Sequence, residues 1–116
     1  MKKFELIKED SIDWYNITLY RIQARIDFTT TSGLEVKIGD LGGYVEKEEN
    51  LSQNGSAWIR DNAKVFGDAQ IYDAAEVYDN AEVYDIAEVY GNAEVYGNAE
   101  VGSYSKICGD TIITAD

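Results

Sequence analysis

A period of six residues runs through the second half of this 116-residue chain. Alanine stands at every sixth position from Ala57 to Ala99, and Ser105 and Thr111 continue the column. Valine or isoleucine lies two residues after each of these positions, from Ile59 onward, and the ten hexads follow one another without an insertion. An α-helix repeats every 3.6 residues, so a strict period of six is incompatible with a helix that keeps one apolar face.

The hexad reads Ala-Glu-Val-Tyr, followed by two residues drawn largely from Gly, Asp and Asn. Its first four residues alternate, so Ala and Val share one face of a strand while Glu and Tyr share the other. Gly, Asp and Asn tolerate left-handed backbone angles and suit corners. The pattern predicts a β-solenoid of short strands and corners. A flat antiparallel meander has the same pattern, but strands of four residues enclose no core that way.

Segments such as VYDNAE, VYGNAE and VFGDAQ resemble the hexapeptide repeat of left-handed parallel β-helices. This resemblance implies an all-β fold, a left-handed parallel β-helix with three hexads per coil, and therefore about three to four coils here. It covers residues 57–116 closely and residues 45–56 more weakly, where Val45 and Leu51 continue the alanine column backwards. We therefore expect a cap in residues 1–44 and the β-helix in residues 45–116.

The first 44 residues do not follow the period. The segment TLYRIQARIDF alternates with Tyr20 to Phe28 on one face, TTTSG is a turn, and LEVKI alternates again, which predicts a hairpin over residues 18–38. Such a hairpin would cap the open end of the solenoid. The segment GDLGGY is expected to form a glycine-rich bend into the first coil. The whole layout resembles small hexapeptide-repeat proteins of bacteria and their phages, which implies no particular activity.

The formal net charge is −12, and it is unevenly distributed. Residues 1–56 contain seven basic and ten acidic groups, whereas residues 57–116 contain three and twelve. No basic residue occurs from Val65 to Ser105. Such a field repels nucleic acid and anionic membranes and attracts basic proteins, so we expect no direct nucleic-acid or membrane partner. A solvated face that aids solubility is the alternative interpretation.

The cysteine content and the N-terminus favour a cytoplasmic protein. The single Cys108 excludes an intramolecular disulfide. The N-terminal segment resembles no signal peptide, and no stretch has the roughly 18 apolar residues of a membrane span. If the chain is encoded by a phage, the expected location is the host cytoplasm.

Many left-handed β-helix proteins are acyltransferases, in which a histidine acts as general base. This chain has no histidine, which also excludes a three-histidine zinc site. We therefore expect a protein that is not an enzyme and has no cofactor or metal. Stacked carboxylates, such as Glu76 below Glu94, could hold a cation between them. Ladders that arise from the repeat alone are the favoured interpretation.

Exposed aromatic and acidic residues in the repeat are the candidates for partner binding. An 18-residue coil would stack Tyr72 on Tyr90, Tyr78 on Tyr96 and Phe66 on Tyr84. The predicted binding residues are Tyr72, Glu76, Tyr78, Glu82, Tyr84, Glu88, Tyr90, Glu94, Tyr96 and Glu100.

Two kinds of partner fit these residues. One is the protein itself, as a dimer or trimer. The other is a basic nucleic-acid-binding host protein, which a phage or mobile-element inhibitor of the anti-CRISPR type would block by imitating nucleic acid. The alternatives are a purely structural, self-assembling β-solenoid and, as the third hypothesis, an acyltransferase-like enzyme.

Overall fold

A computed structural model, which describes residues 2–116, shows an all-β protein. Its parallel coils stack into a β-solenoid of about four turns, so the predicted parallel β-helix is confirmed. Within the described range the only helical element is a 3-10 turn at Glu48–Asn50. The strands are β1 (Phe4–Trp14), β2 (Ile17–Ala24), β3 (Phe28–Thr29), β4 (Glu35–Val36), β5 (Leu41–Val45), β6 (Trp58–Ile59), β7 (Lys64–Val65), β8 (Gln70–Ile71), β9 (Glu76–Val77), β10 (Glu82–Val83), β11 (Glu88–Val89), β12 (Glu94–Gly97), β13 (Glu100–Val101), β14 (Lys106–Ile107) and β15 (Ile112–Ala115).

Three sheets form the sides of the solenoid. Face 1 contains β1, β2, β5, β7, β10 and β13 in that order, face 2 contains β8, β11 and β14, and face 3 contains β6, β9, β12 and β15. From β6 onward, strands of successive coils pair in parallel with an offset of 18 residues, as Val65 does with Val83 and Val83 with Val101. The repeat of three hexads per coil is therefore present.

The alanine and valine columns point inward and fill the core. From Ala57 to Val95, every inward Ala, Val and Ile is at most 1% exposed. Burial of one valine or isoleucine side chain stabilises a fold by about 1.5–3 kcal/mol. A small residue beside each β-branched residue lets the three faces approach one another with the close packing of a protein interior.

The corners adopt the left-handed backbone that their composition predicts. The first corner residue of each hexad has φ between 58° and 67°. Asp, Gly and Ser tolerate this region better than bulky residues do. The corner residues concerned are Asp61, Gly67, Asp73, Asp79, Asp85, Gly91, Gly97, Ser103 and Gly109.

The first coil is two residues longer than the others. Val45 pairs with Val65 at a separation of 20 residues, and Leu51 likewise lies opposite a residue 20 positions later. From Ile59 onward the separation is 18 residues. Val45 and Leu51 therefore belong to the valine column, and the prediction that they continue the alanine column is wrong. The period alone could not locate the two additional residues, which lie between Leu51 and Ile59.

Two glycines of GDLGGY lie in a strand and not in the expected bend. Gly42 and Gly43 belong to β5 (Leu41–Val45) and are buried. A Cβ on Gly42 would lie 2.5 Å from the carbonyl oxygen of Ile59, and one on Gly43 would lie 2.7 Å from that of Ala63. Glycine is required here because the backbone of β5 passes directly over the next stretch of the coil.

The N-terminal cap differs from the predicted hairpin in its pairing. β2 is antiparallel to β1 on one side and to β5 on the other. Only the short β3–β4 hairpin, in which Phe28 pairs with Val36, forms inside the predicted range of residues 18–38. The predicted apolar face is also divided, because Ile22 and Ala24 are buried whereas Tyr20 is half-exposed. β1 takes the place of the expected partner because it supplies eight registered pairs.

The cap is held to the first coil by polar contacts with the backbone. Lys3 Nζ donates to the carbonyl oxygens of Ala57, at 2.7 Å, and of Gly55, at 3.3 Å. Gln53 accepts from the amide of Lys3 at 2.7 Å and donates to the carbonyl oxygen of Phe4 at 3.1 Å. These contacts satisfy backbone groups that the end of a solenoid would otherwise leave unpaired.

Candidate partner-binding surface

The predicted tyrosines and glutamates occupy the outer positions of the hexads. Glutamates one coil apart are neighbours, as predicted: Glu76 pairs with Glu94, and Glu82 pairs with Glu100. The five tyrosines are all half-buried, and Glu100 is exposed. The structure thus arranges the predicted residues as short columns along three faces and does not gather them into one cleft.

The aromatic side chains form the three predicted stacks. In each stack the rings are nearly parallel, so each ring covers one face of its neighbour. The pairs are Tyr72–Tyr90 and Tyr78–Tyr96, with ring centroids 4.9 Å apart, and Phe66–Tyr84, at 5.4 Å. The stacks consume aromatic surface between coils, and what remains accessible to a partner is mainly the rims of the rings.

Hydrogen bonds join the tyrosine columns to the glutamate columns. The hydroxyls of Tyr72, Tyr78 and Tyr84 donate to Oε1 of Glu88, Glu94 and Glu100, at 2.5, 2.7 and 3.4 Å. The bond to Glu88, followed by burial, raises the pKa of the Tyr72 hydroxyl. Burial, followed by the bond to Glu94, raises the pKa of Tyr78. Sequence reasoning missed these bonds, since they link residues that become neighbours only when the coil closes.

Glu76 differs from the other glutamates because it is buried. Its side chain is 1% exposed, and Oε1 lies 2.7 Å from Arg60 Nη1. The amide of Ser32 donates to Oε2 at 3.0 Å and the hydroxyl of Ser32 donates to Oε1 at 2.9 Å. The turn between β3 and β4 therefore covers this carboxylate, and Glu76 holds the turn to face 3 instead of facing a partner.

The tip of the β1–β2 hairpin covers part of face 1. The indole nitrogen of Trp14 donates to Glu82 Oε1 at 3.2 Å. Lys64 Nζ lies 4.4 Å from the centroid of the Trp14 ring, a cation–π contact. Glu82 is consequently occupied, while Glu100, one coil further on, remains exposed.

Aspartates at the corners form exposed acidic rows that the prediction did not include among the binding residues. One carboxylate oxygen of each accepts a hydrogen bond from the backbone amide one coil further on, at 2.9–3.1 Å. The second oxygen is left for solvent or a partner. These aspartates are Asp61, Asp73, Asp79 and Asp85.

Ion pairs neutralise little of the acidic segment. Residues 65–105, all of which the structure describes, contain nine carboxylates. Two of them form ion pairs, Asp68 with Lys47 at 2.5 Å and Glu76 with Arg60 at 2.7 Å. Seven carboxylates therefore remain without a cationic partner. In residues 2–116, no group of three or more His, Cys, Asp or Glu is placed to hold a metal ion.

Two exposed aromatic side chains were missed by the sequence reasoning. Tyr15 is 81% exposed at the tip of the β1–β2 hairpin, and Tyr104 is 80% exposed at a corner after face 1. The signal for Tyr15 was present in the sequence, because Tyr15 and Asn16 separate two alternating apolar segments, as a two-residue hairpin loop would.

Comparisons with known proteins identify no relative for this surface. No helix in the described part of the chain is long and apolar enough to cross a membrane. No protein-family model matches the chain, and no curated protein matches it.

Proposed function

We propose that the protein is an acidic binding module that occupies a basic, nucleic-acid-binding surface of another protein. The observation that supports this proposal is the set of seven carboxylates in residues 65–105 that have no cationic partner. A rigid solenoid holds them at fixed positions, so little conformational freedom is lost when they meet a basic surface. Electrostatic attraction of this kind favours fast association with a complementary partner.

The density of these charges is similar to that of DNA. Residues 65–105 span about 2.3 coils, or roughly 11 Å at ~4.8 Å per coil. Seven carboxylates over this length correspond to about one charge per 1.6 Å, and duplex DNA carries about one per 1.7 Å. A groove that binds the phosphates of a duplex would therefore find a comparable number of acceptors on the solenoid.

Capture from a nuclease-treated bacterial lysate at low salt tests the proposal. The retained proteins are identified, purified individually, and challenged with duplex DNA. The matched variant replaces Asp73, Asp79 and Asp85 with Asn, which tolerates the same backbone angles and accepts the same backbone hydrogen bond but has no charge.

The wild type is expected to bind a purified nucleic-acid-binding protein, to be displaced by duplex DNA, and to lose affinity steeply as salt increases. The triple variant should bind more weakly and melt at nearly the same temperature. Binding that is indifferent to salt, to DNA and to the three substitutions would contradict the proposal.

A self-assembling building block is the second candidate, and one observation favours it. Ile86 is 46% exposed and Tyr104 is 80% exposed, and they lie one coil apart on the same edge. Exposed apolar side chains at such an edge are suited to contact between copies. Sedimentation of the wild type and of Ile86→Asp tests this candidate, because an assembly through this edge should dissociate in the variant.

A further inference from the structure

The β1–β2 hairpin is closed by a loop of two residues, Tyr15 and Asn16. Trp14 and Ile17 form the last registered pair on either side of it. Both loop residues have left-handed backbone angles, with φ 49° at Tyr15 and 69° at Asn16. A loop of this type strongly prefers Asn, Asp or Gly at its first position.

Tyrosine is an unfavourable residue at this position. A bulky side chain at positive φ is an outlier that costs conformational free energy. Folding does not compensate for this cost by burying the ring, since Tyr15 is 81% exposed. Backbone strain that brings no gain in packing is characteristic of functional positions.

The ring is held in one place despite its exposure. It packs edge-on against the indole of Trp14, with centroids 5.0 Å apart and planes at 80°. Trp14 is in turn fixed to face 1 by its hydrogen bond to Glu82 and by its contact with Lys64. An aromatic side chain that is fixed before binding loses little entropy when a partner arrives.

The surroundings of the tip are predominantly acidic. Asp13 is exposed next to it on β1. Glu82 accepts from Trp14, and Glu100 lies beyond Glu82 on the same face and is exposed. The neighbouring cation, Lys64, is engaged with the face of the Trp14 ring. Charge complementarity therefore favours a cationic partner and disfavours a second copy of this acidic chain at this position.

We propose that Tyr15 is the anchoring contact for an arginine- or lysine-rich segment of a partner protein. The open face of the ring receives a guanidinium or ammonium group, and the carboxylates of Asp13 and Glu100 bind the cations on either side. This inference rests on the proposed function and locates its binding surface at the hairpin tip and face 1, away from the tyrosine columns of faces 2 and 3.

Binding of a fluorescein-labelled peptide of ten arginines, followed by anisotropy, tests the inference. Tyr15→Asn removes the ring and suits the loop better, so this variant should melt at the same temperature as the wild type or higher. Its affinity for the peptide should fall about five- to thirty-fold, the range expected for a lost cation–π contact. Tyr15→Phe keeps an aromatic face and should retain the affinity. Tyr104→Asn is the matched control, because Tyr104 is equally exposed and has an ordinary backbone.

The outcomes separate this inference from the proposed function. If the Asp73, Asp79 and Asp85 variant binds the peptide more weakly while Tyr15→Asn binds like the wild type, the acidic module stands and the role of Tyr15 is refuted. If the wild type does not bind the peptide, both proposals fail. A lower melting temperature for Tyr15→Asn, or a changed sedimentation coefficient, would show that Tyr15 serves stability or self-association, and would overturn the inference.

Discussion

The hydroxyl of Tyr78 donates a hydrogen bond of 2.7 Å to Glu94, which lies one coil further along face 3. The same Tyr78 ring stacks on Tyr96 at 4.9 Å. A tyrosine in this repeat therefore ties its own coil to the next one twice, through its ring and through its hydroxyl. The aromatic and acidic columns thus stabilise the solenoid, whatever partner the surface binds.

Tyr78→Phe is expected to lower the free energy of unfolding by about 1 kcal/mol, because it removes the hydrogen bond to Glu94 and keeps the stack. Chemical denaturation of Tyr78→Phe, Glu94→Gln and the double variant measures the coupling between the two residues. If the effects of the two single substitutions are simply additive, the bond does not contribute to stability.

The same bond predicts a dependence of stability on alkaline pH. The pKa of Tyr78 is raised in the folded protein by burial and by the bond to Glu94. Its contribution is therefore complete below the pKa of an unfolded tyrosine, about 10, and is lost as the pH rises through the folded value. The free energy of unfolding should fall above pH 10, and should fall less steeply in Tyr78→Phe. Equal slopes in both proteins would contradict this prediction.

Lys3 predicts the opposite trend at lower pH. Burial lowers the pKa of Lys3 to about 8, since a buried ammonium group loses its hydration. Between about pH 8 and pH 10.5 the unfolded chain binds more protons at this residue than the folded chain does. The contribution of Lys3 to stability should therefore increase over this interval. Denaturation curves of wild type and Lys3→Met, compared across the interval, isolate the effect, and parallel curves would exclude it.

Glu76→Gln is expected to destabilise the protein by about 3 kcal/mol, because it leaves Arg60 without its partner in a poorly solvated site. It should also accelerate hydrogen exchange at the amide of Ser32, which donates to this carboxylate. Glu94→Gln is the control, since Glu94 is in the same column but is half-exposed. Similar losses of stability in both variants would mean that the turn over Glu76 is not held by the ion pair.

Gly43→Ala is expected to destabilise the protein by about 2–3 kcal/mol, since its Cβ would lie 2.7 Å from a backbone oxygen that cannot move independently. Gly102→Ala provides the comparison. Its Cβ would lie 2.5 Å from Cε2 of Tyr84, a ring that can rotate away, so the cost should be smaller despite the shorter distance. Thermal unfolding of both variants distinguishes the two cases. A reversed order would show that β5 can shift.

The repeat made much of the solenoid predictable. Each hexad carries its own inward alanine and valine and its own corner, so the same local rule holds at every coil. The stacks of Tyr72 on Tyr90 and of Glu82 below Glu100 followed from the coil length alone. The sites that the prediction located correctly are therefore those that the period generates.

The non-repetitive contacts were decided by the tertiary structure. The partner of β2 depended on β1, a strand in a part of the chain with no repeat. The burial of Glu76 depended on Ser32, 44 residues earlier in the chain, and the exposure of Tyr15 depended on where the hairpin tip meets face 1. A periodic sequence repeats one local environment, so its own contacts can be read from it. A unique contact between distant segments depends on which surfaces meet when the chain closes, and only the folded molecule brings those surfaces together.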